Sequence, residues 1–182
     1  GTSDHAAEQA AIDPAKLGEN HVYFLPYLMG ERSPINDTDA RGCFIGMTMD
    51  TTRADLVQAV LEGVAFAIRD SVEVAKSLGI QITSSKICGG GAKSPLWKKI
   101  MANVLGIPLE CVASEQGPGL GGAMLAMVAC GAYGSVQEVC DRFVEVASTV
   151  VPEPELVAKY EMRYQQFKKI YPACRELFGQ LQ

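Results

Sequence analysis

The sequence predicts an α/β domain, and three observations predict it. A run that reads as a short buried strand, Ser84 to Cys88, leads through Gly89-Gly90-Gly91 into a helical segment from Ser94 to Leu105. A second such run, Leu109 to Ala113, follows Gly106 and Pro108, and turns near Ser114 to Pro118 into another helical segment, Gly119 to Cys130. Strands that alternate with helices are the pattern of an α/β layer structure. At 182 residues a single domain with a sizeable core is expected.

In chain order, Asp4 to Ala11 favours a short helix that stops near Pro14. His21 to Leu28 is apolar and aromatic, a strand-like run. Met29 to Cys43 is a long irregular stretch rich in Gly, Pro, Asn and Asp that holds Glu31, Arg32, Asp37, Asp39 and Arg41. Long loops in compact domains are usually functional, so it reads either as an active-site wall or as a solvated loop with internal ion pairs. Phe44 to Met49 is a strand or a wall of the same loop. Thr51 or Thr52 caps what reads as the longest helix, ending near Leu78, with Gly79 as its stop. Its apolar stripe is Val57, Val60, Leu61, Val64, Ile68 and Val72, with Asp55, Glu62, Arg69, Glu73 and Lys76 largely off it. Gly63 interrupts this helix, and close packing accounts for it. Ser135, with Glu138 three residues on, reads as a capping box for a short helix to Phe143. Glu145 to Val151 is β-branched and extends. Pro154 opens a final helix, in which Pro172 is expected to cause a kink or restart. Tyr160, Tyr164, Phe167, Tyr171, Cys174 and Phe178 are spaced as a core or interface seam.

The stretch Ile87 to Pro95 organises the chain. Glycines without Cβ atoms admit a ligand to the backbone. Ser94 is placed to cap the helix and Pro95 to start it. Free N–H groups and the positive end of the helix dipole attract an anion. A nucleotide phosphate is one reading; a tight strand–helix connection that binds nothing is the other. Ala92 separates Gly91 from Lys93, which excludes a phosphate-binding P-loop. Gly117-Pro118-Gly119-Leu120-Gly121-Gly122 has the spelling of a dinucleotide fingerprint. The segments after its helix look helical again, so no second parallel strand is expected to complete the unit.

Composition removes several classes. Charged residues make up 20% and apolar residues 48%, ordinary for a globular protein, and the net charge of −5 argues against a nucleic-acid partner. No apolar run is long enough to span a bilayer, so no membrane partner is expected. The start is polar and lacks the apolar core of a signal peptide. The six cysteines form no Cys-x-x-Cys pair and read as reduced core residues of a cytoplasmic protein. His5 and His21 have no clustered partners, so no metal ligand is assigned.

Three segments resemble the FGGY carbohydrate kinases. One is Phe24-Leu25-Pro26-Tyr27-Leu28-Met29-Gly30-Glu31-Arg32-Ser33-Pro34, continuing to Asp39-Ala40-Arg41-Gly42. The second is Gly42-Cys43-Phe44-Ile45-Gly46-Met47 followed by Asp55 to Gly63, which is similar to the family's C-terminal signature in both halves and in their spacing. The third is Gly89 to Trp97, with Gly119-Leu120-Gly121-Gly122-Ala123 after it. The resemblance runs from about Tyr23 to Val151.

It implies the actin-like, ribonuclease-H-related ATPase fold, with ATP and Mg²⁺ between two lobes. On that basis Gly89, Gly90, Gly91, Ala92 and Ser94 are the expected ATP contacts, and Gly121 and Gly122 serve tight packing beside the same cleft. The implied reaction is ATP-dependent phosphorylation of a sugar, expected to be D-xylulose at its terminal hydroxyl. In the family, the sugar pocket, the catalytic Asp and the magnesium carboxylate belong to the N-terminal lobe. Residues 1–182 are therefore expected to be one C-terminal lobe, incomplete on its N-terminal side, with no catalytic residue of its own. Gly1-Thr2-Ser3 reads as a cloning remnant. Asp37, Asp39, Asp50 and Glu115 are not assigned as a base. Expected partners are ATP, the sugar through the other lobe, and a second copy in a homodimer. A non-enzymatic nucleotide-binding or interaction module on the same scaffold is the alternative.

Overall fold

The computed structural model describes residues 4–113 and 117–181. Gly1-Thr2-Ser3 and Glu115 lie outside them, as does Ser114 to Gln116 of the expected turn. The chain runs α1 (His5–Ala10), β1 (Tyr23–Leu25), β2 (Cys43–Ile45), α2 (Arg53–Ser77), β3 (Ser85–Ile87), α3 (Pro95–Leu105), β4 (Leu109–Val112), α4 (Gly117–Ala129), α5 (Val136–Phe143), β5 (Val146–Val150) and α6 (Pro154–Gln180). β1 and β2 form an antiparallel hairpin, with Phe24 opposite Phe44. The second sheet has the order β3-β4-β5, parallel between the first two and antiparallel between the last two. β3, α3 and β4 thus make a parallel crossover, in line with the expected α/β alternation. After α4 the chain returns antiparallel, so the glycine-rich start of α4 opens no dinucleotide unit.

The helix ends follow their chemistry. Thr52 caps α2 in a full capping box with Asp55. At the other end Ile80 N–H donates to Ala75 O and Gly79 N–H to Lys76 O, a Schellman stop that needs the positive φ of Gly79. Ser135 Oγ accepts from Glu138 N–H, but the Glu138 carboxylate reaches Gly134 N–H, not the cap itself. Pro172 does not break α6, which is continuous and, at 27 residues against 25, outruns α2 as the longest helix.

The core lies between α2, α3, α6 and β1. Phe66 packs against Tyr160, Tyr164 and Phe167, with ring centroids 6.1, 6.0 and 5.2 Å away. The seam on α6 is therefore core. On α2 the buried face is Gln58, Ala59, Glu62, Gly63, Ala65 and Phe66, and the expected valine stripe flanks it. The reason is electrostatic as well as steric. Glu62 is only 1% exposed because Arg163 of α6 meets it at 2.8 Å, while Gln58 and Tyr160 donate to its other oxygen. Gly63 is required by close approach: a Cβ there would sit 2.1 Å from Phe24 O. β3 is half-exposed, not buried, because it is an edge strand. Of the six cysteines only Cys111 is buried, and Cys88 and Cys130 are exposed.

α4 has no charged side chain and no buried residue. With the open edge of β3, it leaves apolar surface and unpaired strand backbone to solvent, features that favour association. The isolated polypeptide is expected to self-associate. Light scattering after size exclusion checks this, and a monodisperse monomer at high concentration would count against it.

Candidate nucleotide site

The site begins where β3 ends. Gly89 turns the chain with φ 82° and ψ −170°, a conformation that a side chain strains. Gly90–Lys93 then form a 3-10 turn, closed by Ala92 N–H to Gly89 O and Ser94 N–H to Gly91 O, each 3.1 Å. Gly89, Gly90 and Gly91 are exposed, while Ala92 and Ser94 are half-buried. Ser94 caps α3, its Oγ accepting from Trp97 N–H at 3.0 Å, and its hydroxyl donates to Gln9 Oε1. Pro95 has no N–H, and Lys98 N–H is held by Ser94 O. The expected row of free donors at the start of α3 is therefore largely consumed by its own cap. Among the described residues, the Gly90 and Gly91 N–H groups are not taken by the loop's own bonds. The loop, with the Leu96 N–H of the first helical turn, offers the donors to an anion.

A cleft of about 660 Å³ opens beside this loop. Gly90, Ser94 and Leu96 form one wall, and Ala6, Gln9 and Ile12 the other. The wall contributed by α1 was not legible in the sequence, where α1 is a short alanine-rich helix with no motif. Its placement comes from long-range contacts: Gln9 to Ser94, and the Arg53–Glu8 ion pair at 2.6 Å that ties α1 to α2. Arg53 holds the Glu8 carboxyl below the usual carboxylate range. A mostly apolar cleft with a few convergent polar groups is the usual form of a small-molecule site.

The three glycines differ. A Cβ on Gly90 meets nothing within 4 Å, so this position is open. A Cβ on Gly91 would lie 2.9 Å from Trp97 Nε1, so Gly91 seats the indole. Nothing approaches within 4 Å of a Cβ built on Gly121 or Gly122. The tight packing expected there is not made among the described residues; Gly121 instead lines a 140 Å³ pocket with Cys88, Val112 and Val144.

The other expected site features lie elsewhere. No residue of Met29 to Cys43 lines the cleft. That loop is tied to α6, where Tyr171 OH donates to Asp37 at 2.6 Å, and Arg41 donates to the carbonyls of Thr38 and Ala40. The Tyr171 bond and the Asp39 N–H hold the Asp37 carboxyl below its ordinary value. His21 is paired with Thr51 at 3.0 Å. Among the described residues, no group of three or more His, Cys, Asp or Glu side chains is arranged to hold a metal ion, and no helix is long and apolar enough to cross a membrane.

The architecture is an α/β lobe of the actin-like, ribonuclease-H-related ATPase fold. Residues 2–130 match the model of the C-terminal domain of the FGGY family of carbohydrate kinases, and the chain belongs to that family. It is 33% identical over 167 residues to a xylulose kinase of Staphylococcus epidermidis, covering 92% of this chain and 34% of that protein. It is 34% identical over 169 residues to a ribulokinase of Mycolicibacterium smegmatis, covering 92% and 30%. Among solved structures, the ligand-bound xylulose kinase of Lactobacillus acidophilus superposes with a TM-score of 0.85 at 26% identity, covering 97% of this chain and 35% of that one. The chain spans about a third of the length of the curated relatives it matches.

Proposed function

We propose that this chain is the nucleotide-side lobe of an ATP-dependent sugar kinase that phosphorylates D-xylulose at its terminal hydroxyl. The observation that carries the reading is the exposed glycine loop opening on a 660 Å³ cleft, in a chain similar to named xylulose kinases. In this reading Gly89, Gly90, Gly91, Ala92 and Ser94 hold ATP, with the Gly90 and Gly91 N–H groups facing its phosphates. Phosphoryl transfer is mainly positioning and charge stabilisation. The loop positions the donor, and the apolar cleft keeps water from its base. Magnesium supplies charge neutralisation at the phosphates when bound. Its ligands and the general base are assigned to the N-terminal lobe, as the resemblance to the FGGY kinases implies. One lobe spans 1–182. The proposed enzyme is cytoplasmic, in keeping with six unpaired cysteines, has no nucleic-acid or membrane partner, in keeping with its net charge of −5 and the lack of a long apolar run, and acts as a homodimer. Nothing favours the non-enzymatic module.

The test follows ADP release with ATP, magnesium and sugar. The chain alone is expected to give none, against an ordinary enzymatic rate of about 10 s⁻¹. Joined to the N-terminal lobe of a xylulose kinase, it is expected to restore ATP-dependent phosphorylation of D-xylulose at a rate of that order. Turnover by the chain alone overturns the assignment of catalysis to the other lobe. A folded fusion that binds D-xylulose and still releases no ADP overturns the assignment of the nucleotide side to this chain.

A further inference from the structure

Of the three loop glycines, Gly91 alone has a described neighbour close to the place of its missing Cβ, and that neighbour is Trp97. A Cβ built there would lie 2.9 Å from Trp97 Nε1 and 3.0 Å from Cδ1, so this side of the indole is set against the Gly91 backbone. At Gly89 and Gly90 no described atom comes within 4 Å of the same point. The indole is carried by the third residue of α3 and is half-buried against the main core. Two hydrogen bonds close a ring between helix and loop. Trp97 N–H donates to Ser94 Oγ at 3.0 Å, and Ser94 N–H donates to Gly91 O at 3.1 Å. The cleft is lined by Gly90, Lys93 and Ser94 of the loop, and not by Trp97. The indole therefore joins the core to the loop from outside the cleft.

We propose, on the reading that this loop holds ATP, that Trp97 is a positioning residue of the nucleotide site: its indole fixes Gly91, and with it the Gly90 and Gly91 N–H groups, before ATP arrives. Glycine backbone loses the most freedom on being ordered. A loop ordered in advance by a packed ring spares the nucleotide that cost, and affinity gains by preorganisation. Trp97 touches neither phosphates nor sugar in this role. Its loss is therefore expected to weaken ATP binding and to leave the sugar alone. The shape of the side chain matters. Phenylalanine puts ring carbons near the places of Cδ1 and Nε1, so it keeps the contact with Gly91. Leucine fills the core side of the position and stops short of Gly91. Methionine is long enough but flexible, so it fixes nothing.

The experiment makes Trp97→Leu, Trp97→Met, Trp97→Phe and Gly90→Val in the two-lobed kinase, with a thermal melt of each to show that it is folded. ATP affinity is measured by calorimetric titration, and KM for ATP and for D-xylulose by steady-state kinetics. Trp97→Leu and Trp97→Met are expected to weaken ATP binding about tenfold, with kcat and the KM for D-xylulose within about twofold of the parent. Trp97→Phe is expected to keep ATP affinity within about twofold. Gly90→Val tests the loop itself. If it weakens ATP binding while folded Trp97→Leu and Trp97→Met do not, the positioning role is overturned and the nucleotide site stands. If Gly90→Val and the Trp97 variants all bind ATP as the parent does, the nucleotide reading of the loop falls and the role of Trp97 falls with it. Equal rises in the KM values for ATP and D-xylulose in Trp97→Leu would make the indole a general support of the fold, which also overturns the proposal.

Discussion

Arg163→Met is expected to lower the unfolding free energy by about 3–5 kcal/mol, the cost of breaking a buried ion pair from one side. The side chains of Arg163 and Glu62 are 7% and 1% exposed, so water does not replace the lost partner. Arg163 also donates to Val22 O at 3.0 Å and lies over the Tyr23 ring at 4.3 Å, so the variant unfastens α6 from the lead into β1 as well. The loss depends on pH, and the sign follows from Glu62. Burial already pushes its carboxyl up, against the opposing pull of Arg163, Gln58 and Tyr160. Without Arg163, that upward push dominates. A carboxyl whose folded pKa is raised costs nothing below its unfolded value near 4.3 and destabilises progressively as pH rises toward the folded value. Urea unfolding at pH 5 and pH 8 checks this. The gap between variant and parent is expected to be larger at pH 8. The double variant Glu62→Leu with Arg163→Met removes both charges and is expected to recover most of the loss. An equal gap at both pH values would mean that lost packing, and not the stranded carboxylate, sets the cost.

The same pair shows where the sequence is legible and where it is not. Periodicity finds α2, because an amphipathic pattern and a Thr52 cap suffice to locate a helix. It does not find which flank of α2 is buried. A glutamate reads as solvent-facing until its arginine is known, and Arg163 is 101 residues away. Gly63 was legible as a close-packing position because only a near backbone explains a glycine inside a helix, and Phe24 O is that backbone. Caps and stops were legible for the same local reason: Ser94, Ser135 and Gly79 act on residues within one turn of themselves. The burial of β3 was misread because three apolar-flanked residues look alike at an edge and in the middle of a sheet; only the strand order distinguishes them. In the candidate site, the glycines and Ser94 could be named from spacing and resemblance. The opposite wall could not, since nothing in the composition of α1 specifies that Gln9 lies against Ser94.

Gly90→Val is expected to raise the apparent KM for ATP by about tenfold or more in the two-lobed kinase, with stability unchanged within about 0.5 kcal/mol. The three loop glycines make this test discriminating, because each is glycine for a different reason. At Gly90 the backbone is not in the left-handed region and a Cβ meets no atom of the chain, so the new side chain disturbs only what enters the cleft. At Gly89 a side chain is strained by the φ of 82°, at a cost of about 1–2 kcal/mol whether or not nucleotide is present. At Gly91 the Cβ drives against the Trp97 indole, so Gly91→Val loses stability and ATP affinity together. The KM for sugar is expected to change little in Gly90→Val, because the sugar is assigned to the other lobe. Lys93→Ala is expected to be milder toward ATP than Gly90→Val, since the donors assigned to the phosphates are backbone N–H groups. Calorimetric titration with ATP, with thermal melts of each variant alongside, separates the three effects. A well-folded Gly90→Val with unchanged ATP affinity would remove the loop from the nucleotide site. A Lys93→Ala defect larger than the Gly90→Val defect would instead place the ammonium, and not the loop backbone, at the phosphates.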